Sequence, residues 1–212
     1  MKHALLSLFL FTPLILKAQN IKIYAGPLAS SFGNAKRIPL LEKSLRTYTY
    51  GVGFDYLEKE RYSLTSQLAY VKIGGRDDNP DNQPQFQKAQ ESHGYLSLST
   101  LFRLNLLHYK KTSTFVGLGP FLNVSTQKTH AFESAMYKGY YYFSKAYWGG
   151  LAEIGLVSQI DRINVGFSGN FQYSFSSAAY STISPNSSAH ILPLLHKSIS
   201  FPVIISLGYR LK

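Results

Sequence analysis

The stretch Ile163–Ser176, INVGFSGNFQYSFS, alternates almost without a break. Ile163, Val165, Phe167, Phe171, Tyr173 and Phe175 share one parity, while Asn164, Gly166, Ser168, Asn170, Gln172 and Ser174 share the other. Successive side chains of an extended backbone leave on opposite sides, so this period of two predicts a strand with one large apolar face and one small polar face. It runs well past the usual soluble strand of about 5–6 residues. Taken alone it fits two arrangements: the large parity packed into a soluble core, or the large parity turned outward.

The same pattern returns elsewhere. In Lys197–Lys212, Ile199, Phe201, Val203, Ile205, Leu207, Tyr209 and Leu211 oppose Ser198, Ser200, Ser206, Gly208 and Arg210. In Thr47–Leu57, Tyr48, Tyr50, Val52, Phe54 and Tyr56 oppose Thr49, Gly51, Gly53 and Asp55. Glycines on the small parity suit the inside of a narrow barrel, where side chains lack room. Five further strands are read at Ile21–Ser31, Tyr62–Gly74, His93–Leu106, Thr114–His130 and Tyr147–Ile160, giving eight in all.

The connections decide between the two arrangements. Glu58–Arg61, Leu107–Ser113 and Asp161–Arg162 are short, whereas Phe32–Arg46, Gly75–Ser92, Ala131–Ala146 and Ser177–His196 are long. Strict alternation of short and long places all long loops at one end and both termini at the other. That asymmetry belongs to transmembrane barrels, with tight periplasmic turns and long extracellular loops. The reading is therefore all-β: an eight-stranded antiparallel up-and-down barrel spanning the cell outer membrane, its termini periplasmic. A soluble calycin-like barrel would reverse every side-chain assignment.

Residues 1–18 carry Lys2 and an apolar stretch from Ala4 to Leu16, then Ala18. This is the pattern of a cleavable signal peptide, and it is too short for a membrane helix of about 20 residues. The barrel domain is then 19–212. Taking Lys2 and Lys17 from the 22 Lys and Arg leaves 20 against 11 Asp and Glu, a formal charge of +9. These cations are scattered over turns and loops without a basic helix or stripe, so nucleic acid is not the expected partner and membrane lipid head groups are. There is no cysteine, hence no disulfide and no thiolate metal site. The mean hydropathy of −0.08 is uninformative, because the two parities of a barrel cancel. The 16 Tyr and 14 Phe are a supply suited to interfacial belts.

Candidate sites follow from position. Asp55, Arg103 and Glu153 fall on inward parities, and an unpaired charge in a closed lumen costs several kcal/mol, so a charge network is expected there, as a structural plug or as a gate. Tyr48, Tyr50, Tyr95, Tyr147, Trp148 and Tyr173 are expected in an outer aromatic belt, and Tyr56, Tyr62, Phe102, Phe115 and Tyr209 in an inner one. His93, His130, His190 and His196 lie towards the long-loop end, yet none shows a catalytic or metal-ligand spacing with Ser, Asp or another His. No catalytic residue, metal site or cofactor site is assigned. The fourth long loop, with Ile191, Leu192, Leu194 and Leu195 around Pro193, is apolar enough to fold over the mouth or meet a protein partner.

The stretches YGVGFDYLEKERYSLTSQLAYVKIGG at residues 50–75, YLSLSTLFRLNL at 95–106, the Gly-Pro strand FVGLGPFLNVSTQK at 115–128 and the closing LGYRLK at 207–212, taken in this order, resemble the PorT-like outer-membrane β-barrel domain of Bacteroidota. The resemblance covers nearly the whole mature chain. The chain departs from many bacterial barrels in ending on Lys212 rather than an aromatic residue. The resemblance implies an outer-membrane location and leaves the role open. The expected role is structural or interactive, acting through the long loops and associated with secretion or surface assembly. The alternatives are a narrow channel and a lipid-modifying enzyme, the second being the weaker.

Overall fold

The computed structural model describes residues 19–33, 43–76, 90–127, 132–133, 139–183 and 194–211. Residues 1–18, expected to form a signal peptide, and His130, His190 and Ile191–Pro193 lie outside the described residues. In chain order the strands are β1 (Asn20–Gly33), β2 (Lys43–Glu58), β3 (Tyr62–Arg76), β4 (Gln90–Tyr109), β5 (Thr112–Ser125), β6 (Phe132–Glu133), β7 (Gly139–Phe143), β8 (Ala146–Ile160), β9 (Ile163–Ser174), β10 (Ala179–Ile183) and β11 (Leu194–Arg210). The long ones pair antiparallel in the order β1-β2-β3-β4-β5-β8-β9-β11, and β1 also pairs with β11. The ladder thus returns to its first strand, which leaves no edge among these eight strands.

Parity settles which way the large side chains face. Ile23, Tyr50, Leu96, Leu118, Ile154, Phe167 and Ile205 are all exposed on the outside of the ring. Thr49, Thr65, Gln67, Ser97, Ser99, Asn123, Glu153, Ser168, Asn170 and Ser200 are buried within it. A soluble barrel of the calycin kind would show the reverse. From Ile163 to Tyr173, both exposed, about 10 residues at about 3.3 Å rise and about 40° tilt cover about 25 Å, the height of a lipid-facing apolar band.

The strand bounds differ from those the alternation announces: β5 ends at Ser125 and β9 at Ser174, short of the expected His130 and Ser176, while other strands run longer. β4 continues to Tyr109 and β5 begins at Thr112, so the connection read at Leu107–Ser113 shrinks to Lys110 and Lys111. A bulge between Asn105 and Leu107 explains the difference: it leaves Leu106 and Leu107 both exposed and so breaks the period of two. Lys110 and Asp161 hold the left-handed backbone of two tight turns, each at φ 54°.

The stretches read as loops at Ala131–Ala146 and Ser177–His196 contain β6, β7 and β10. β10 pairs with β11 and β7, and β7 pairs with β6, building a small ribbon at the long-loop end. GYYYF and AYSTI are too short to announce a strand alone and take the form through pairing with each other.

Proline interrupts the ring ladder without shifting its register. Pairing lapses between Ala25↔Ile205 and Leu28↔Pro202, and again between Ser99↔Phe121 and Phe102↔Leu118. Each gap holds a Gly-Pro pair, Gly26-Pro27 or Gly119-Pro120. Proline offers no N–H to the ladder, and a Cβ on either glycine would sit 1.8 Å from the facing carbonyl oxygen, of Val203 or Thr100.

Candidate functional site

The lumen divides into two levels. At the short-turn end it opens into a polar cavity of about 890 Å³, lined among others by Asn20, Gln67, Asn164 and Ser206. At the inner end of this cavity four charges from four strands meet. Lys22 Nζ donates to Asp55 Oδ1 at 2.8 Å, and the Thr65 hydroxyl donates to the same oxygen at 2.5 Å. Arg103 Nη1 stands 3.8 Å from Asp55 Oδ1, while its Nε and Nη2 donate to Glu153 Oε2 and Oε1 at 2.7 and 3.0 Å. The guanidinium carbon also lies 4.6 Å from the centre of the Phe115 ring. The fork-to-fork pair is the strong geometry for an ion pair away from bulk water.

Local sequence explains how the four fit. Lys22 alternates with the outward Ile21 and Ile23, and Asp55, Arg103 and Glu153 sit on the inward parities of β2, β4 and β8. Gly53 leaves room for the Lys22 stem, since a Cβ there would come within 2.6 Å of Lys22 Cε. Nearer the mouth, Asn20 donates to Glu58 at 2.8 Å, Asn164 donates to Asn20 at 3.1 Å, and Arg210 donates to Gln159 at 3.3 Å.

Beyond the charges, towards the long loops, the lumen is filled by apolar and aromatic side chains. Tyr24, Leu101, Phe121, Leu151 and Ile204 are buried, followed by Tyr95, Tyr147, Phe32 and Phe143. Tyr95 and Tyr147 meet edge to face at 5.0 Å, and Phe121 meets Tyr147 likewise at 6.1 Å. Phe143 comes from β7 and stacks on His93 at 4.9 Å, so the ribbon covers this end. Tyr95 Oη donates to the Ser144 carbonyl at 3.1 Å, and the Ser144 hydroxyl to that of Ser177 at 2.7 Å, fastening the cover.

Asp55, Arg103 and Glu153 are therefore brought together, and Lys22 is a fourth member that the sequence reading missed. Its alternation with two isoleucines was the available signal. Of the belt residues, Tyr48, Tyr50, Trp148, Tyr62, Phe102 and Tyr209 are exposed on the outer face, with Tyr173 beside them and Tyr56 half-buried. Tyr50 stacks on Tyr70 at 5.5 Å and Tyr62 on Phe102 at 5.8 Å. Tyr95 and Tyr147 do not join the belt: at 1% and 2% exposure they are plug residues. Phe115 is likewise inside, under Arg103. Each shares the inward parity of its own strand, Tyr95 with Ser97, Tyr147 with Glu153 and Phe115 with Gly117, and strand period overrides the general preference of aromatics for interfaces.

His93 and His196 are buried in the upper lumen, with His93 Nε2 2.6 Å from Ser125 Oγ. Among the described residues no group of three or more His, Cys, Asp or Glu is arranged to hold a metal ion.

No protein-family model and no curated protein matches the chain. Solved structures similar to it include Neisserial surface protein A, at 8% identity and a TM-score of 0.49 over 89% of this chain and 95% of that one. The Ail protein of Yersinia pestis gives 10% and 0.43 over 91% and 99%. Outer Membrane Protein W of E. coli gives 12% and 0.41 over 92% and 98%.

Proposed function

We propose that this chain is an eight-stranded outer-membrane barrel with a structural or interactive role, whose long connections face away from the cell and whose termini lie in the periplasm. The observation that carries the proposal is the inverted partition of side chains, with aliphatic and aromatic residues outside a closed ladder and hydroxyls, amides and paired charges inside. In water this outer face would expose an apolar surface far larger than the few hundred Å² that soluble monomers tolerate. Lipid removes that cost, and the closed ladder satisfies the backbone that lipid cannot. Outer-membrane lipid is then the first partner, and a protein partner would meet the long-loop end. The resemblance to PorT-like barrels extends the proposal to a place beside secretion or surface-assembly machinery.

Against a narrow channel stand the ion-paired quartet at the inner end of the cavity and the aromatic plug above it, which obstruct the lumen between the two ends. No arrangement among the described residues suggests a lipid-modifying enzyme, and the proposal is for a non-catalyst. Trp148, exposed on the outer face, gives the direct test. After reconstitution in vesicles its fluorescence is expected to be quenched by brominated acyl chains and little affected by aqueous iodide. Recovery of the chain in the aqueous phase without detergent, or iodide quenching as strong as for free tryptophan, would overturn the reading. Planar bilayers should show no conductance steps; regular steps from the wild type would favour the channel instead.

A further inference from the structure

We infer that the outer face of β1, β2 and β3 at the long-loop end binds a phosphate-bearing lipid of the outer leaflet, head group above and acyl chain below. The inference rests on the membrane reading just given. Arg46 and Lys72 are exposed, Arg46 two residues along β2 from Tyr48 and Lys72 two residues along β3 from Tyr70, on which Tyr50 stacks, both towards the long-loop end. The Thr47 hydroxyl donates to the Lys72 carbonyl at 2.6 Å and reaches the Leu28 carbonyl at 3.5 Å, so β1, β2 and β3 are stitched together at this level. Arg76, also exposed, continues the row on β3. No ion pair joins these three cations to a described carboxylate, in contrast to Arg103 and Arg210, which both have one. Like charges held on adjacent strands repel, and an anion lowers that cost; a guanidinium beside an ammonium is suited to phosphate oxygens.

The surface below is shaped for the rest of such a molecule. On β1 the outward residues Ala25, Pro27 and Ala29 are small and form the floor of a furrow about 13 Å long. Tyr50 and Tyr48 stand across from Ala25 and Pro27 on one side, and Ile205 and Phe201 across from Ala25 and Ala29 on the other. Ala29 pairs with Arg46, so the furrow starts beside that guanidinium, and Lys72 lies one strand further on, on the far side of β2. Tyr48 is 75% exposed. A linear acyl chain fills the furrow while its phosphate lies against Arg46 and Lys72. A soluble anion would gain only the second contact.

The test uses the full mature chain refolded in detergent micelles and titrated with a synthetic diphosphorylated, acylated glucosamine disaccharide, with adducts read by native mass spectrometry. The expected result is a one-to-one adduct that is weakened about tenfold or more when the disaccharide lacks phosphates, and equally by the double variant Arg46→Gln/Lys72→Gln. The control variant Lys59→Gln/Lys111→Gln makes the same charge change at the short-turn end and should bind as the wild type does. Ala29→Leu, which fills the furrow, should weaken the acylated probe and leave binding of inorganic pyrophosphate unchanged. Equal binding of the dephosphorylated probe, or loss of binding in the control variant as well, would overturn the inference. Pyrophosphate bound as tightly as the lipid would replace it with a soluble-anion site. Vesicle flotation of each variant is measured alongside: failure of the wild type to float refutes the membrane reading, whereas flotation without phosphate preference refutes this inference alone.

Discussion

Replacing Arg103 by Met removes the cation shared by two carboxylates while keeping a flexible stem over Phe115. Glu153 then loses both guanidinium donors, at 2.7 and 3.0 Å, with only 1% of its side chain exposed. Leaving one member of a buried ion pair alone costs about 3–5 kcal/mol. Asp55 suffers less, since it keeps Lys22 at 2.8 Å and the Thr65 hydroxyl at 2.5 Å. Lys22→Met is the informative comparison. Asp55 retains Thr65 and the guanidinium at 3.8 Å, so a cost of about 1–2 kcal/mol is expected. The double variant Arg103→Met/Glu153→Leu takes away both charges and should recover to within about 1 kcal/mol of the wild type, because an apolar pair of similar volume often replaces a buried ion pair without loss. Equilibrium urea unfolding in micelles, followed through the single tryptophan, Trp148, reads all four proteins. The reasoning fails if the double variant is no more stable than Arg103→Met, since the two residues would then be uncoupled. It fails also if Lys22→Met costs as much as Arg103→Met.

Other expectations use the same unfolding assay. Gly26→Ala and Gly119→Ala drive a methyl into a backbone carbonyl and should each cost about 2 kcal/mol or more, whereas Gly169→Ala, whose Cβ meets nothing within 4 Å, should be neutral or gain up to about 1 kcal/mol. Tyr147→Ala empties part of the plug and should cost about 3–5 kcal/mol, while Tyr48→Ala on the outer face should cost less than about 1 kcal/mol. Lys110→Gly relieves a left-handed backbone and should raise stability by up to about 1 kcal/mol; a clear loss would mean that the Lys110 contact with the Tyr109 ring, at 5.3 Å, outweighs it.

Much of the candidate site was legible because inward or outward facing is a property of each strand by itself. Asp55 and Arg103 each stand between large apolar neighbours, Glu153 between Ala152 and Ile154, and Lys22 between Ile21 and Ile23, so parity alone assigns all four to one side. Tyr95, Tyr147 and Phe115 show where residue type misleads. An aromatic ring is stable at a membrane interface or packed in a lumen, and only its place in the alternation tells which. The strand ends were harder to read, because the bulges near Asp55 and Asn105 interrupt the alternation on which the reading depends.

The sequence by itself determined the strand faces, the rhythm of short and long connections and the absence of a thiol-based site, since all of these are local or compositional. Only the tertiary structure decided that Lys22, Asp55, Arg103 and Glu153 stand together, that the long connections contribute β7 and β10 to a cover over the lumen, and that Arg46 stands beside Ala29 with Lys72 one strand away. These depend on register between strands far apart in the chain. Register is fixed by how turns, bulges and ladder gaps add up around a closed ring, and no single segment carries that sum.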